Sequence, residues 1–195
     1  MLSYNESLKI LKETNALLEG HFILSSGLHS KQYIQCARLL SCPKKAEKIC
    51  SSLVKKIKNV YHSIDLILAP AIGGIVVGYE VGRQLNVQTI FAERENKILT
   101  LRRGFNIPSG KNVLIIEDVI TTGKSSLEFS KIVKQCKANL VGFACIIDRS
   151  NNSNLIKTDV ISQVKFELST FNENDLPEDL KKIPPIKPGS KNISQ

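Results

Sequence analysis

Hydrophobic residues near the start of the chain recur at the spacing of one helix face. The stretch SYNESLKILKETNALLEG combines this spacing with a capping-box pair, Ser3 and Glu6, and with a glycine suited to ending a helix, Gly20. We therefore predict an amphipathic helix from Ser3 to Gly20. Two extended runs, HFILSS and KQYIQC, follow with GLHS between them and predict a small β-hairpin. The apolar spacing after Pro43 predicts a second helix that begins at this proline.

From residue 64 onward, apolar runs of strand length alternate with helical patterns. The predicted strands are IDLILA, VQTIFA, KNVLIIED and NLVGFACIID, and the predicted helices are IVVGYEVGRQL and KSSLEFSKIVKQC. Such alternation predicts an α/β fold with a central, mostly parallel sheet and helices on both faces. Because ligands of these folds bind at the carboxyl ends of the strands, we expect function in the loops after Ala69, Ala92, Asp118 and Asp148.

One long polar segment interrupts the alternation. Residues 93–110, ERENKILTLRRGFNIPSG, are charged and contain two glycines, which predicts either a mobile loop or a protruding hairpin. We expect a single domain over residues 1–195, in which residues 1–42 contribute the first helix and the hairpin, and residues 64–168 form the α/β core. The proline-rich tail predicts a short helical turn followed by an irregular end.

Composition narrows the class of protein. No window approaches the length of a membrane span, and the charged N-terminus lacks the apolar core of a signal peptide, so we expect a cytoplasmic protein with no membrane partner. The five cysteines are odd in number and form no C-x-x-C pair, which indicates reduced thiols. The net charge of +9 lies on dispersed lysines with few aromatic residues, so we expect no nucleic-acid partner.

The stretch EDVITTGKSS, from Glu117 to Ser126, ends like a Walker phosphate loop. A Walker motif needs glycine five residues before its Gly-Lys pair, and Asp118 occupies that position, where its carboxylate would face the phosphates. The stretch offers instead two acids at a strand end, a loop of small residues and a helix start. Loop N–H groups and a helix N-terminus suit one phosphate. The carboxylates suit the vicinal hydroxyls of a ribose, with magnesium neutralising the surplus charge. The alternative is that the acids merely cap the next helix.

The segment VLIIEDVITTGKS, residues 113–125, resembles the phosphoribosyl pyrophosphate (PRPP) signature of type I phosphoribosyltransferases at every position. The resemblance implies the fold of that family, Mg2+ as the cofactor, and a metal held by PRPP and water with no direct protein ligand. It also implies a set of residues that bind PRPP: Glu117, Asp118, Val119, Ile120, Thr121, Thr122, Gly123, Lys124 and Ser125. Several enzymes that act on different nucleobases share this signature, so it leaves the acceptor open.

Other segments resemble the orotate phosphoribosyltransferases, in particular their shorter bacterial form: EGHFILSSGLHSKQYI, APAIGGIVVG, FAERENKILTLRRGF, CIIDRS and IPPIKPGS. The resemblance implies that the hairpin forms a small N-terminal hood. It implies transfer of the phosphoribosyl group from PRPP to orotate, giving orotidine 5′-monophosphate and pyrophosphate in pyrimidine synthesis. Orotate would contact Thr121, Arg149 and the hood near Tyr33 and Ile34. For Arg149, a surface ion pair with Asp148 is the alternative.

The segment PAIGGI ends a strand and opens a helix with two glycines. We expect Ala71, Ile72, Gly73 and Gly74 to form a pyrophosphate loop, because glycine lets backbone N–H groups approach phosphate closely. Packing of the helix against the sheet would explain the same glycines.

The resemblance implies that the segment 93–110 closes over the active site of the partner subunit in a homodimer. We expect Arg94 and Lys97 to act as catalytic residues together with Glu117 and Asp118. Two roles remain open for Arg102 and Arg103: cations of the closing loop, or surface residues on a returning strand.

The chain departs from the longer bacterial form at Ser25 and Gly73, where that form has lysines, and its loop lacks that form's histidine. We expect His21 and His29, which flank the hairpin, to be solvated and give them no catalytic role. Two other functions stay open at this point: transfer to another base, and a regulator that senses PRPP without turnover.

Overall fold

The computed structural model describes residues 1–24, 26–96, 98–150 and 155–188. Within those ranges the α-helices are α1 (Tyr4–Glu13), α2 (Cys36–Leu40), α3 (Pro43–Val60), α4 (Gly73–Leu85), α5 (Lys124–Gln135) and α6 (Glu178–Lys181). The strands are β1 (Leu17–Ile23), β2 (His29–Ile34), β3 (Leu66–Pro70), β4 (Gln88–Glu95), β5 (Ile98–Leu101), β6 (Asn112–Ile120), β7 (Asn139–Asp148), β8 (Val160–Lys165) and β9 (Thr170–Phe171). None of the helices in these ranges is long and apolar enough to cross a membrane.

The central sheet has six strands in the order β5-β4-β3-β6-β7-β8. All neighbouring strands are parallel except β5, which pairs with β4 in the antiparallel direction. Alternate residues of β6 enter two separate cores: Leu114 and Ile116 pack with helices α3 and α4, and Val113 and Ile115 pack with α5. The prediction of a mostly parallel sheet with helices on both faces is therefore confirmed.

Helix α1 is shorter than its sequence pattern predicts. Its capping box is present, since Ser3 N donates to Glu6 Oε2 over 2.7 Å and Glu6 N donates to Ser3 Oγ over 3.3 Å. The helix nevertheless ends at Glu13, and Asn15 adopts a left-handed φ of 52°. The next leucines form strand β1, in which Leu17 pairs with Ile34. The predicted stop at Gly20 is wrong because cross-strand burial of Leu17 outweighs its helical spacing.

The predicted hairpin is present as β1 and β2, and it gains a third strand from the other end of the chain. Strand β9 pairs with β2, and the three strands form a small sheet that we call the hood. Beyond α6, Ile186 N donates to His21 O over 2.8 Å, and Ile23 N donates to Ile186 O over 2.9 Å. The tail has the predicted helical turn, and the end after it is irregular up to residue 188 apart from a single bridge between Ile186 and Phe22.

The segment 93–110 begins as a hairpin. Strand β4 continues to Glu95 and β5 returns beside it, so the protruding hairpin is the form observed. We call these two strands the β4–β5 hairpin. Arg102 and Arg103 follow β5, and they form ion pairs with Glu95 over 3.3 Å and Glu93 over 3.1 Å. Lys97 and Ser25 lie outside the described residues.

Candidate functional site

Strand β6 ends in the acidic pair, and the pleat sends the two side chains to opposite faces. The Glu117 carboxylate points toward α5 and is 7% exposed, and it accepts a hydrogen bond from the Ser126 hydroxyl. The Asp118 carboxylate points toward α4, where a Cβ on Gly73 would lie only 3.0 Å from its Oδ2. The two acids therefore flank the end of the strand and do not form a side-by-side pair.

Burial dominates the electrostatics of both acids. It raises the pKa of Glu117 to about 7; the hydrogen bond from Ser126 opposes this shift, and the charge of Asp118 adds to it. Burial also raises the pKa of Asp118, against the hydrogen bond that Val119 N donates to its Oδ1 over 2.9 Å. Neither acid caps α5 in the described chain, so the capping alternative is wrong. Poorly solvated carboxylates of this kind are suited to accept hydrogen bonds from ligand hydroxyls.

The segment Ala71–Gly74 lies beside Asp118 at the carboxyl edge of the sheet. Ala71 N donates to Ala92 O over 3.0 Å, which ties the segment to strand β4. A Cβ on Gly74 would lie 2.7 Å from Pro70 Cδ, so packing alone explains that glycine. A Cβ on Gly73 would crowd the Asp118 carboxylate, so the missing side chain keeps the space beside that carboxylate open. Ile72 is 85% exposed and the Ala71–Ile72 peptide is cis.

The loop from Thr121 to Gly123 joins β6 to α5 at the same edge. Both threonines are exposed, and Gly123 is the N-cap residue of α5 with a left-handed φ of 72°. Leu155 N donates to Thr122 O over 3.0 Å and anchors the loop. Gly123 has no side chain with which to cap the helix, so the loop presents hydroxyls and N-terminal N–H groups together, as an anion site requires.

Arg149 follows β7 and lies next to the hood. Its N–H donates to Ile120 O over 2.8 Å, and its guanidinium is close enough to Tyr33 and to the Cys36 thiol to interact electrostatically with both. Its Nε is buried without a hydrogen-bond partner, and burial lowers the pKa of its guanidinium. Within the described residues no ion pair joins it to Asp148, which is itself buried, so the surface-pair alternative is wrong.

The hood residues expected near the base have different surroundings. The Tyr33 hydroxyl donates to Gln35 Oε1 over 2.9 Å, and the side chain is half-buried. Ile34 is buried in the core. Arg149 and Tyr33 thus meet at the junction of hood and sheet, and Ile34 can contribute there only through its backbone.

Arg94 lies in β4 and forms an ion pair with Glu128 of α5. It therefore lies at the same edge as the loop Thr121–Gly123. Lys97, the other cation expected to be catalytic, falls outside the described residues.

The hood histidines are not solvated, so that expectation is wrong. His21 and His29 are 3% and 6% exposed, and the distance between His21 Nε2 and His29 Nδ1 is 2.6 Å. His21 Nδ1 lies 2.7 Å from Ile183 O. The pair joins the hairpin to the C-terminal segment, and it has a structural role.

Sequence reasoning missed two residues that contact the acids. Ser126 is bonded to Glu117, and the Cys36 thiol donates to Asp118 O over 3.8 Å. The contact of Ser126 could have been inferred from the sequence. When a short loop joins a strand to a helix, the first turn of the helix lies over the end of the strand. Cys36 could not be found in this way, since its contact depends on how the hood meets the sheet.

Comparisons with known proteins identify the family of the chain. A family model described as a phosphoribosyl transferase domain matches residues 38–180. A curated orotate phosphoribosyltransferase from Caldicellulosiruptor bescii is 46% identical over 184 residues, which cover 94% of this chain and 96% of that protein.

Solved structures share the fold. A crystal structure of orotate phosphoribosyltransferase from Aeropyrum pernix aligns with a TM-score of 0.72 and 22% identity, over 81% of this chain and 92% of that one. Adenine phosphoribosyltransferase from Thermoanaerobacter pseudethanolicus aligns with a TM-score of 0.60 and 19% identity, over 69% and 88%. Because the family model spans most of the chain and the curated relative matches nearly all of it, the chain belongs to the phosphoribosyltransferase family, and within it to the orotate phosphoribosyltransferases.

Proposed function

We propose that the chain transfers the 5-phosphoribosyl group from PRPP to orotate, giving orotidine 5′-monophosphate and pyrophosphate. This is a step in the de novo synthesis of UMP. The observation that carries the proposal is the 46% identity to an orotate phosphoribosyltransferase over 94% of the chain. The structural likeness to an adenine enzyme concerns the fold alone and does not change the acceptor.

The residues from Thr121 to Ser125 hold the 5′-phosphate of PRPP, through the exposed hydroxyls and the N-terminus of α5. Val119 and Ile120 carry the backbone into this loop. Glu117 and Asp118 accept hydrogen bonds from the two ribose hydroxyls, one from each side of the strand end. The segment Ala71–Gly74 holds the pyrophosphate, because Gly73 leaves the backbone accessible beside Asp118.

Arg149 binds the carboxylate of orotate. Its buried and unpartnered Nε supports this role, since a guanidinium in such a place gains from a planar anionic partner. Thr121 and the backbone near Tyr33 and Ile34 complete the base site between the sheet and the hood. This arrangement favours a flat, negatively charged base over a neutral purine.

The reaction forms a bond between a ring nitrogen of orotate and the anomeric carbon, while the bond from that carbon to pyrophosphate oxygen breaks and the ring nitrogen loses its proton to the leaving pyrophosphate or to solvent. Positive charge develops on the sugar and negative charge on the leaving pyrophosphate. Glu117 and Asp118 lie beside the sugar, where their negative charge stabilises it. Arg94 and Lys97 of the segment 93–110 provide positive charge for the pyrophosphate and exclude water.

The acidic pair fits a Mg2+–PRPP complex without ligating the metal. No group of three or more acidic, histidine or cysteine side chains converges in the described parts of the chain. We propose that Mg2+ binds through oxygens of PRPP and through water, with no side-chain ligand. When bound, Mg2+ would supply positive charge to the phosphates and would polarise the leaving group.

We propose that the whole chain acts as one domain in a homodimer, in which the segment 93–110 closes over the partner's site. The five free thiols support a cytoplasmic location, because reduced cysteines are typical of that compartment. No nucleic-acid or membrane partner is proposed.

The test is incubation with orotate, PRPP and Mg2+, followed by the loss of ultraviolet absorbance that accompanies consumption of orotate. A parallel panel of adenine and hypoxanthine serves as the specificity control. Turnover of a purine without turnover of orotate would move the assignment within the family. Binding of PRPP with no turnover of any base would favour the sensing regulator.

We expect the variant Lys97→Ala to lower kcat about 100-fold and to change the KM for orotate by less than about threefold. The reason is that a cation closing over the leaving group acts in the transition state and not on the bound base. Steady-state kinetics with both substrates measures this, and Lys134→Ala, an exposed lysine at the end of α5, is the matched control. A large rise in the KM for orotate at unchanged kcat would contradict it.

Mixing two inactive variants tests the sharing of the hairpin. If Lys97 acts in the partner's site, equal amounts of Lys97→Ala and Asp118→Asn should recover about a quarter of wild-type activity, because half of the dimers then contain one intact site. No recovery after exchange of subunits would place Lys97 in its own subunit's site.

A further inference from the structure

Ser126 has a contact with the acidic pair that the signature does not explain. It lies in the first turn of α5, is 1% exposed, and its hydroxyl donates a hydrogen bond to the Glu117 carboxylate. Packing alone would be served by alanine, because a buried hydroxyl is costly unless it has a partner. The partner of the Ser126 hydroxyl is Glu117, the carboxylate that we propose binds a ribose hydroxyl of PRPP.

We propose that Ser126 is a positioning residue, which holds one oxygen of Glu117 and leaves the other free to accept a hydrogen bond from a ribose hydroxyl of PRPP. This inference rests on the proposed function. Ser126 touches no substrate in this arrangement and acts through Glu117 alone.

The position of Ser126 on the helix gives it a second consequence. It comes directly after the phosphate loop, residues 121–125, and the helical hydrogen bonding begins at that loop, with Leu127 N donating to Gly123 O over 3.0 Å. One rigid segment therefore carries both the phosphate loop and the hydroxyl that holds Glu117. Ser126 fixes the distance between the site of the 5′-phosphate and the sugar carboxylate, and this distance has to match a single ribose.

The Ser126 hydroxyl also affects the protonation state of Glu117. Among the described residues, two titratable groups interact electrostatically with this carboxylate: Asp118, whose side chain points to the opposite face of the strand, and the Cys145 thiol, which lies at the paired position of β7. Strand β3 contributes only the apolar run LILAP, and on α5 the acid Glu128 is paired with Arg94 while the side chain of Lys124 is exposed. Burial raises the pKa of Glu117 and the bond from Ser126 lowers it. Loss of the hydroxyl therefore raises the pKa further and favours the neutral acid.

The test compares Ser126→Ala with Ser126→Thr, which keeps the hydroxyl, and with Ser130→Ala. Ser130 lies one turn further along α5, and its hydroxyl donates to Leu127 O over 2.7 Å, so it is a matched control outside the site. We expect Ser126→Ala to lower kcat/KM for PRPP about 10- to 100-fold at pH 7, the range for loss of one hydrogen bond to a charged group. The KM for orotate should stay within about twofold, since Arg149 and the hood are untouched.

The pH profile separates positioning from packing. In the wild type kcat/KM for PRPP should fall as the pH drops through about 7, because the carboxylate that accepts the hydrogen bond becomes protonated. In Ser126→Ala this fall should begin at higher pH, and Ser126→Thr should restore the wild-type profile. A Glu117→Gln variant should lack the fall, which distinguishes Glu117 from groups on PRPP.

Equal kcat/KM and equal pH profiles for Ser126→Ala and Ser130→Ala would overturn the proposal. If Ser126→Ala does not fold, Ser126→Cys keeps the size of the side chain with a weaker donor and should give the same loss specific to PRPP; a wild-type profile in that variant would also overturn it. Calorimetric titration of the wild type and the variants with PRPP in the presence of Mg2+, at several pH values, measures the affinity for PRPP. This tests the role of Ser126 without any acceptor base. Absence of orotate turnover by the wild type would reject the proposed function separately.

Discussion

Replacing Asp118 with asparagine should lower kcat about 100- to 1,000-fold while the protein stays folded. Asparagine keeps the shape of the side chain but removes the negative charge next to the sugar, where positive charge develops in the transition state. Steady-state kinetics with saturating orotate and PRPP gives the size of the loss. Asp159→Asn, at an exposed position after β7, is the matched control.

Thermal unfolding gives a second test, because the direction of the change in Tm can also be predicted. Burial raises the pKa of Asp118 in the folded protein above its ordinary value, so ionisation of this carboxyl weakens folding once the pH exceeds the unfolded pKa. Asp118→Asn removes that penalty. Its Tm should therefore equal or exceed the wild-type Tm at pH 8, and the advantage should shrink as the pH falls toward 4. A kcat within threefold of Asp159→Asn, or a lower Tm at pH 8, would count against the assignment.

The variant Arg149→Ala should raise the KM for orotate about 100-fold, with a much smaller change in the KM for PRPP. The guanidinium lies between the sheet and the hood with a buried, unpartnered Nε, so its removal leaves no protein group unsatisfied in the free enzyme. Loss of the guanidinium should therefore weaken mainly the binding of orotate, through its carboxylate. Kinetics with orotate varied at fixed, saturating PRPP measures this.

Arg149→Lys is the informative partner variant. Lysine restores the charge but not the planar fork, so it should recover only part of the affinity for orotate. Full recovery would mean that charge alone matters. An Arg149→Ala enzyme with an unchanged KM for orotate and a raised KM for PRPP would move Arg149 from the base to the donor.

The central sheet was predictable because each of its strands is a continuous apolar run, which few other structures can bury. Local pattern failed where two structures compete for the same residues. Leu17 fits a helix face as well as a strand, and its pairing with Ile34 decides the outcome. The two-residue strand β9 has too little pattern to predict at all, because it exists only through its pairing with β2.

In the candidate site, too, the features set by local sequence were predictable and those set by long-range contacts were not. The signature from Glu117 to Ser125 is local, so sequence could locate the loop and the helix start. The opposite directions of the two carboxylates follow from the pleat of the strand, which the adjacency of the two acids in the sequence does not show by itself. The burial of Arg149 depends on the hood crossing over the sheet, which brings together residues far apart along the chain.

The hood also sets an order of assembly on the growing polypeptide. Strands β1 and β2 leave the ribosome early, but the strand that covers the edge of β2 comes from residues 170–171, after the entire central sheet. Such pairing over a long stretch of sequence forms late, and until then β2 presents unpaired backbone groups to neighbouring chains. A product of early termination before residue 170 would keep the PRPP signature, the sheet around it and the residues of the base site, yet the hood strand β2 would have an open edge.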